Sequence, residues 1–200
     1  MKILLIGATG TIGKKVRQNL TDRHNVISVG HRDGDFQVDI TDKDAVEHLF
    51  EQVGTVDALI STTGLAEFGP LEELSDEQFS VGWNNKLMGQ INLVRIGKPY
   101  VKKHGVILLT SGVLANEPIP GSAAVSAVNG AINSFVKAAA LEFGESLRIN
   151  AVSPVFVKET MEAMGMDSST GMSADDTAKA YIAALEGSMN GEVIDVRDHA

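Results

Sequence analysis

The sequence predicts an α/β fold with a doubly wound, mostly parallel sheet of about seven strands, flanked by helices on both faces. Three observations support this fold class. Short apolar runs recur along the chain, segments of helical period separate them, and the runs lack an alternating polar face. Strands of this kind are expected to be covered on both sides. Because no linker, repeat or low-complexity tract divides the chain, we expect a single domain over residues 1–200.

The predicted strands are the apolar runs, and the predicted helices are the segments between them. IGKKVRQNL and DAVEHLF, for example, are apolar at i and i+4 and polar between. The stretch 153–176 has no clean period, so we expect a mobile loop or short lid there, followed by a helix near 175–187. The strands are expected at 2–6, 25–29, 56–60, 105–110, 148–152 and 192–196, with a weaker candidate at 35–39.

Composition excludes several classes of partner. With 26 acidic and 17 basic residues the net charge is −9, which would repel a nucleic-acid backbone. The chain has no cysteine, hence no disulfide and no thiolate metal site. Its histidines lack metal-ligand spacing, so we assign no metal. The apolar run in MKILLIG is too short for a signal peptide or a membrane span. We therefore expect a cytoplasmic protein with no membrane partner.

A glycine-rich turn, GATGTIG at 7–13, follows the first predicted strand and opens the first predicted helix. Glycines in a turn often mean only that the backbone needs a positive φ. Here, however, unpaired N–H groups and the positive end of a helix dipole would meet where a pyrophosphate could bind. The turn therefore indicates a dinucleotide site that includes Gly7, Thr9, Gly10, Thr11, Ile12 and Gly13.

The tip of the second predicted strand indicates which dinucleotide binds. In doubly wound folds an acidic residue about 20 positions after the glycine turn accepts the ribose hydroxyl of NAD, whereas a basic residue accommodates the 2′-phosphate of NADP. In this chain Gly30 is followed by His31 and Arg32. The tip therefore favours NADP over NAD. In the alternative, His31 and Arg32 are solvated loop residues and Asp33 or Asp35 points at the ribose.

With these motifs in this order, the sequence resembles the short-chain dehydrogenase/reductase family along nearly its whole length, which implies a Rossmann-like sheet. VDI at 38–40 resembles the family's adenine-contacting pair, and STTG at 61–64 its cofactor-lining NNAG. Ser111 in LTSG occupies the place of the catalytic serine, and INAVSP at 149–154 resembles the segment before the nicotinamide loop. The resemblance implies cofactor contacts from Asp39, Ile40, Ser61, Thr62, Thr63, Gly64, Pro154 and Val157.

The catalytic helix departs from this family pattern. Family members carry a tyrosine and, four residues later, a lysine that lowers the pKa of the phenol. Here SAAVSAVNGA places Val125 at the tyrosine and Asn129 at the lysine. Asn129 can still hydrogen-bond a ribose hydroxyl, but as a neutral amide it cannot acidify a neighbour by charge. We expect Tyr100 to be a packing residue and Tyr181 to make a core or oligomer contact.

Lys86 is the candidate replacement for the lost positive charge. Aligned on Gly89 and Pro99, it occupies the position of an asparagine in the family's fourth helix. Alternatively, Lys86 is solvated or salt-bridged, or a slip of one residue puts Asn85 in the site. The catalytic candidates are therefore Ser111 and Lys86.

Three functions are consistent with these features. The first is an NADP(H)-dependent oxidoreductase that reduces a small carbonyl compound, and the second is a catalytically silent NADP(H)-binding regulatory or sensor protein. The third is a structural subunit without cofactor. Under each, small residues in 123–143 suit a homodimer or homotetramer face, or close packing on the sheet.

Overall fold

The computed structural model describes residues Met1–Ala200 and contains one sheet of seven strands. The strands are β1 (Lys2–Ile6), β2 (Asn25–Gly30), β3 (Phe36–Gln37), β4 (Val56–Ser61), β5 (Val101–Thr110), β6 (Leu147–Ser153) and β7 (Val193–Asp195). Their order is β3-β2-β1-β4-β5-β6-β7, and every neighbouring pair is parallel. The predicted α/β fold is confirmed.

Helices connect the strands and cover both faces of the sheet. They are α1 (Thr11–Thr21), α2 (Lys43–Val53), α3 (Asp76–Val81), α4 (Gln90–Gly97), α5 (Ala123–Phe143), α6 (Lys158–Ala163) and α7 (Ala174–Glu186). A π-helix, Gly82–Gly89, joins α3 to α4 without a break. Shorter 3₁₀ turns lie at Lys98–Tyr100, Val113–Ala115, Gly144–Ser146 and Val196–His199.

Strand β1 illustrates how the sheet builds two cores. Ile3 and Leu5 pack into the layer that contains α1 and α7. Leu4 and Ile6 point the other way, into the layer with α2, α4 and α5. All four are essentially inaccessible to solvent, and burying such a side chain contributes about 1.5–3 kcal/mol. Both faces of the strand are apolar because helices cover both, as the sequence predicts.

The order in which strands are added to the sheet reverses between β1 and β4, although the two strands are parallel. From β1 the strands proceed to β2 and β3 on one side, whereas β4 to β7 proceed on the other. The backbone N–H of Thr62, just after β4, donates to the Ile6 carbonyl at the end of β1, with an N···O distance of 2.8 Å. Parallel sheets bind ligands at the carboxyl edge beside such a reversal. The fold therefore places a crevice where the glycine turn leaves β1.

Two strands differ from their predicted bounds by more than one residue at an end, and the other five agree to within one residue at each end. The candidate at 35–39 forms only the two-residue β3, because the Asp35 carboxylate turns back to accept hydrogen bonds from the Ser28 N–H and hydroxyl, at 2.8 and 2.7 Å. Strand β5 begins at Val101, earlier than predicted. It pairs with Val56 there, then bulges through exposed residues before it pairs regularly again at Val106.

The segment 153–176 contains more structure than the expected loop. It includes helix α6, and Val157 and Met172 form a parallel bridge. The Glu159 carboxylate accepts from the Ala174 N–H, with an Oε2···N distance of 2.8 Å, and so ties α6 to the start of α7. The sequence missed α6 because a helix of six residues is too short to establish a period.

One helical span, Ala123–Ser146, is long and apolar enough by length and composition to cross a membrane. It contains α5, whose residues Val128, Ile132 and Val136 belong to one of the two cores. The core helix of a doubly wound sheet has the same composition, since its apolar side is covered by strands.

Candidate active site

The glycine turn is held in one shape by close backbone contacts. Gly7 has a φ of +86°, a conformation that favours glycine. A Cβ on Gly13 would overlap the Gly7 carbonyl oxygen, so the start of α1 lies directly on the turn. At Gly10 a Cβ would meet only that oxygen, at 3.4 Å. The turn therefore requires glycine at positions 7 and 13, whereas Gly10 leaves the outer side of the turn open.

The first turn of α1 presents unpaired donors. Its N-cap residue, Gly10, has no side chain to cap the helix. The first intrahelical bond is from the Lys14 N–H to the Gly10 carbonyl, so the N–H groups of Thr11, Ile12 and Gly13 have no protein acceptor. Free N–H groups at the positive end of a helix dipole suit an anion such as a pyrophosphate.

The loop at the tip of β2 contains the exposed Asp33, whose Oδ1 atom accepts from the Gly34 N–H at 2.7 Å. A Cβ on Gly30 would lie 2.6 Å from the Thr9 hydroxyl oxygen, so the tip packs against the glycine turn. His31 and Arg32 are exposed, and their side chains form no hydrogen bond or ion pair. The alternative that involves Asp35 is not favoured, because Ser28 holds its carboxylate and lowers its pKa.

The predicted adenine-contacting pair lies at the same sheet edge. The Asp39 carboxylate accepts from the Thr41 N–H and hydroxyl at 2.9 and 2.7 Å, and these bonds lower the pKa of Asp39. Ile40 is buried and packs against Gly89, where a Cβ would lie 2.6 Å from the Ile40 Cδ1 atom. Ile40 therefore connects this edge of the site to the end of the π-helix.

A cavity of about 440 Å³ opens at the carboxyl edge beside β4, β5 and β6. It brings together nine of the predicted site residues: Ile12, Thr62, Thr63, Gly64, Lys86, Ser111, Asn129, Pro154 and Val157. The other predicted cofactor contacts do not line it. They lie in the glycine turn, in β4 and toward β2 and β3, and comprise Gly7, Thr9, Gly10, Thr11, Gly13, His31, Arg32, Asp39, Ile40 and Ser61.

Lys86 enters the cavity from the π-helix, and Asn85 does not. The Lys86 Nζ donates to the Ser111 carbonyl at 2.9 Å, whereas Asn85 accepts from the Leu65 N–H outside the cavity. Lys86 as a whole is half-buried because it lines the cavity, but protein encloses its ammonium group. It forms no ion pair, so the salt-bridged alternative is wrong.

Burial changes the acidity of Lys86. With no carboxylate partner, desolvation disfavours the charged form and lowers its pKa from 10.5 to about 8. The stem of the side chain crosses Gly64, which has a φ of +136° and no room for a Cβ beside Lys86. The result is an amine at the cavity wall with a pKa of about 8.

Gln90 fixes the spacing between Lys86 and Ser111. Its side-chain amide accepts from the Thr110 N–H at 2.8 Å and donates to the Thr110 carbonyl at 2.9 Å. It also donates to the Lys86 carbonyl at 3.0 Å. The fully buried Gln90 thereby joins the helix that carries Lys86 to the strand end that precedes Ser111.

Comparisons with known proteins give the family of the chain. A family model described as enoyl-(acyl carrier protein) reductase matches residues 11–189. The chain belongs to the short-chain dehydrogenase/reductase family. A solved structure of a Listeria innocua protein is 40% identical, with a TM-score of 0.93 over 98% of this chain and 99% of that one. A small-chain dehydrogenase in complex with NADPH is 28% identical, with a TM-score of 0.88 over 98% and 95% of the two chains.

Curated relatives in this short-chain dehydrogenase/reductase family are oxidoreductases. A hydroxynaphthalene reductase of Aspergillus fumigatus is 28% identical over 165 residues, which cover 76% of this chain and 60% of that protein. A versicolorin reductase of Emericella nidulans is 30% identical over 131 residues, 62% and 50% of the two chains. The chain therefore spans about half to three-fifths of the length of these relatives.

In this family member, two polar atoms beside the cavity have no partner. Ser111 Oγ and Asn129 Oδ1 are buried and unpaired, while Val125, one helical turn before Asn129, also lines the cavity. Buried polar atoms are normally hydrogen-bonded, so unpaired ones at a cavity wall suit a polar ligand. Together with the free N–H groups of α1, they fit a nicotinamide dinucleotide that extends from the glycine turn into the cavity.

Neither tyrosine reaches the cavity to replace Val125. The Tyr181 hydroxyl is fully buried and lies 2.6 Å from the Thr110 hydroxyl, which itself donates to the Ser61 carbonyl at 2.6 Å. Burial raises the pKa of Tyr181. Tyr100 stacks on Phe50, with ring centroids 5.4 Å apart. The predicted core contact of Tyr181 and packing role of Tyr100 are confirmed.

Several site residues escaped the sequence prediction. Gln90 carried one usable signal, since it lies four residues after Lys86 on the same helical path. The apolar residues of the cavity wall, among them Leu114, Phe156 and Met161, carried none, because their segments lack a period. The structure contains no group of three or more metal-ligating side chains that could hold a metal ion.

Proposed function

We propose that this protein is an NADP(H)-dependent oxidoreductase that reduces a small carbonyl compound, with Ser111 and Lys86 as its catalytic residues. One observation carries the proposal: the only charged group on the cavity wall is the Lys86 amine, held by the Ser111 carbonyl beside the unpaired Ser111 hydroxyl. A hydrogen-bond donor and an acid therefore share one wall, as carbonyl reduction requires.

The cofactor would be held by the elements described above. The N–H groups of the first turn of α1 would bind the pyrophosphate, and Asn129 would bind a polar group of the nicotinamide half. NADP is favoured over NAD because Gly30 offers no carboxylate to a ribose hydroxyl, while Arg32 and His31 are free to meet a 2′-phosphate. When bound, NADPH supplies a hydride to the carbonyl carbon.

The residues of the cavity would handle the oxygen of the substrate. The Ser111 hydroxyl donates a hydrogen bond to the carbonyl oxygen and stabilises the negative charge that develops there. The Lys86 ammonium donates its proton to that oxygen and becomes a neutral amine. A pKa of about 8 suits this role, because the ammonium form prevails at neutral pH yet gives up its proton readily.

The test is NADPH oxidation with a panel of aldehydes, ketones and quinones. We expect turnover that Ser111→Ala and Lys86→Met each reduce by roughly 10²–10⁴-fold without loss of NADPH binding. Lys103→Met is the matched control, because Lys103 is exposed and forms no hydrogen bond or ion pair. Turnover that survives both cavity substitutions would contradict the assigned roles.

A catalytically silent NADP(H) sensor is the second candidate function. It is supported by Val125 and Asn129, which leave the cavity without the family's tyrosine and lysine. The same panel discriminates the two functions. Tight NADPH binding with no oxidation of NADPH by any compound would overturn the reductase proposal and favour the sensor. A calorimetric titration without heat from either nucleotide would instead favour a structural subunit.

We propose that the protein acts in the cytoplasm as a homodimer or homotetramer, without nucleic-acid or membrane partners. The absence of cysteine suits a reducing compartment, and the net charge of −9 opposes nucleic acid. On α5, Ala127, Ala138 and Leu141 are exposed and could face a second copy. Light scattering should give a mass above that of one chain, and Leu141→Glu should lower it if α5 forms the interface.

A further inference from the structure

We propose that the substrate is an uncharged carbonyl compound with an apolar ring or branched body and the carbonyl at one end. This inference rests on the proposed reductase function and names the chemical class that the cavity would accept.

Three polar residues of the cavity lie next to one another: the Lys86 Nζ donates to the Ser111 carbonyl at 2.9 Å, and a Cβ on the adjacent Gly112 would lie 2.7 Å from the Asn129 Nδ2 atom. Lys86, Ser111 and Asn129 supply the amine, a hydroxyl and an amide there, and two of their atoms lack partners. A single carbonyl oxygen can use the first two groups. A substrate with many hydroxyl groups would leave most of them unpaired against the remaining wall, at an unfavourable desolvation cost.

Most of the remaining lining of the cavity is apolar. More than half of the residues that line the cavity are hydrophobic, and Leu114, Val125, Phe156 and Met161 contribute to this lining. Leu114, Val125 and Met161 are buried, with 7%, 5% and 7% of their surface accessible, so their positions are fixed by packing. An apolar body placed against them would gain about 25 cal/mol for each Å² removed from water.

The mouth of the cavity extends the apolar surface outward. Phe68, Ile119, Met164 and Met166 line the cavity and are exposed, with 45–65% of their surface accessible. Phe68 lies over Phe156, with ring centroids 6.1 Å apart. Methionine side chains adapt to varied shapes and contact aromatic rings favourably. The apolar body of a substrate would cover these side chains, whereas a polar substrate would leave them in water.

Charge on the cavity wall excludes ionic substrates. Lys86 is the sole charged residue among those that line it, so a cationic substrate would find no counter-charge. A carboxylate would be attracted to the Lys86 ammonium, but the ion pair would favour the charged amine and oppose proton donation. The substrate class is therefore neutral.

The experiment compares three aldehydes with the NADPH-loaded protein: para-tolualdehyde, its anionic counterpart para-formylbenzoate, and the polar glyceraldehyde. We expect kcat/KM for para-tolualdehyde to exceed that of each other aldehyde by about tenfold or more. Equal values, or a preference for either of the other two, would overturn the substrate class while leaving the reductase function intact.

Binding of an unreactive analogue separates the two proposals. In calorimetry with saturating cofactor, para-tolyl methanol should bind at least about tenfold more tightly than glycerol. If it binds but no aldehyde is reduced, the reductase function fails and the apolar cavity stands. If para-tolyl methanol does not bind more tightly than glycerol, and para-tolualdehyde is not preferred over the other two aldehydes, the inference is wrong.

A pair of variants tests the mouth of the cavity. Ile119→Glu adds a charge to an exposed lining residue and should weaken para-tolyl methanol binding about tenfold while NADPH binding is retained. Leu71→Glu is the control, because Leu71 is 64% exposed and does not line the cavity. An equal effect of both variants, or none from Ile119→Glu, would contradict the proposed position of the apolar body.

Discussion

The glycine turn and the wall around Ser111 belong to one candidate site but are built in different ways. The turn presents main-chain N–H groups from Thr11 and Ile12, and its side chains matter mainly by being absent, as at Gly13. The Ser111 wall presents a hydroxyl, an amide and an amine, each of which is a side-chain group.

This difference explains why the two regions diverge unequally from the family pattern. Main-chain donors persist under most substitutions outside the glycines, so a binding function is easily retained. A side-chain acid can be lost with a single substitution, as the family resemblance implies at Val125, and can be supplied from another element, as we propose for Lys86. Binding and chemistry in this fold are therefore separable.

The largest expected effect comes from a substitution in the glycine turn, which would bind through main-chain groups. Gly13→Val would force the α1 start away from Gly7 and should weaken NADPH binding by roughly a hundredfold or more. Calorimetric titration measures the change, and circular dichroism checks that the helices remain. Gly130→Ala is the control, since a Cβ there meets nothing within 4 Å. Normal NADPH affinity in Gly13→Val would mean that the turn does not bind the pyrophosphate.

The pH dependence of turnover probes the side-chain region alone. Because Lys86 must be protonated to act as the acid and its pKa is about 8, kcat/KM should fall about tenfold per pH unit above that value. NADPH affinity should change little over the same range, since main-chain N–H groups do not titrate. A profile that stays flat up to about pH 10 would rule out Lys86 as the proton donor.

Gln90 joins the helix and strand on which the side-chain region depends. Gln90→Leu leaves the Thr110 N–H and carbonyl without their partner, and should lower the free energy of unfolding by about 1–3 kcal/mol. Urea unfolding measures the loss. As a positioning residue, Gln90 should also shift the pH profile when it is replaced. If Gln90→Leu changes neither the free energy of unfolding nor the pH profile, the hydrogen bonds of Gln90 do not position the site.

The smallest expected effect is the change in the free energy of unfolding when Lys86 is replaced. The folded pKa of about 8 lies below 10.5, so the unfolded chain binds more protons between these values and wild-type stability rises with pH there. Below that window the folded state bears the full cost of an unpaired buried ammonium. Lys86→Met should therefore be more stable at neutral pH by about 1 kcal/mol, after the lost Ser111 hydrogen bond is subtracted.

Urea unfolding near pH 7 and near pH 10 checks this sign, and the difference between the two proteins should shrink at the higher pH. If Lys86→Met is less stable than the wild type at neutral pH, the hydrogen bond from Lys86 to the Ser111 carbonyl contributes more free energy than desolvation of the ammonium costs.

Local sequence patterns predicted the sheet and the glycine turn, because strand periodicity and the glycines act over a few residues. They could not predict that β3 has only two residues, because a contact between Asp35 and Ser28 shortens it. They also could not predict the hydrogen bonds of Gln90 to Thr110, because these depend on packing between α4 and β5. The position of Lys86 required counting along the family pattern, since nothing local to FSVGWNNK indicates a π-helix. The apolar wall depends on segments brought together only by folding.

The contact between Ile40 and Gly89 has a mechanical consequence. Gly89 is the last residue of the π-helix that carries Lys86, and Ile40 is a predicted neighbour of the adenine ring. Pressure on the Ile40 side chain from a purine would be passed to the helix three residues beyond the amine. If adenine binds beside Ile40, nucleotide occupancy at one end of the crevice would therefore act on amine placement at the other through a single methyl-to-backbone contact.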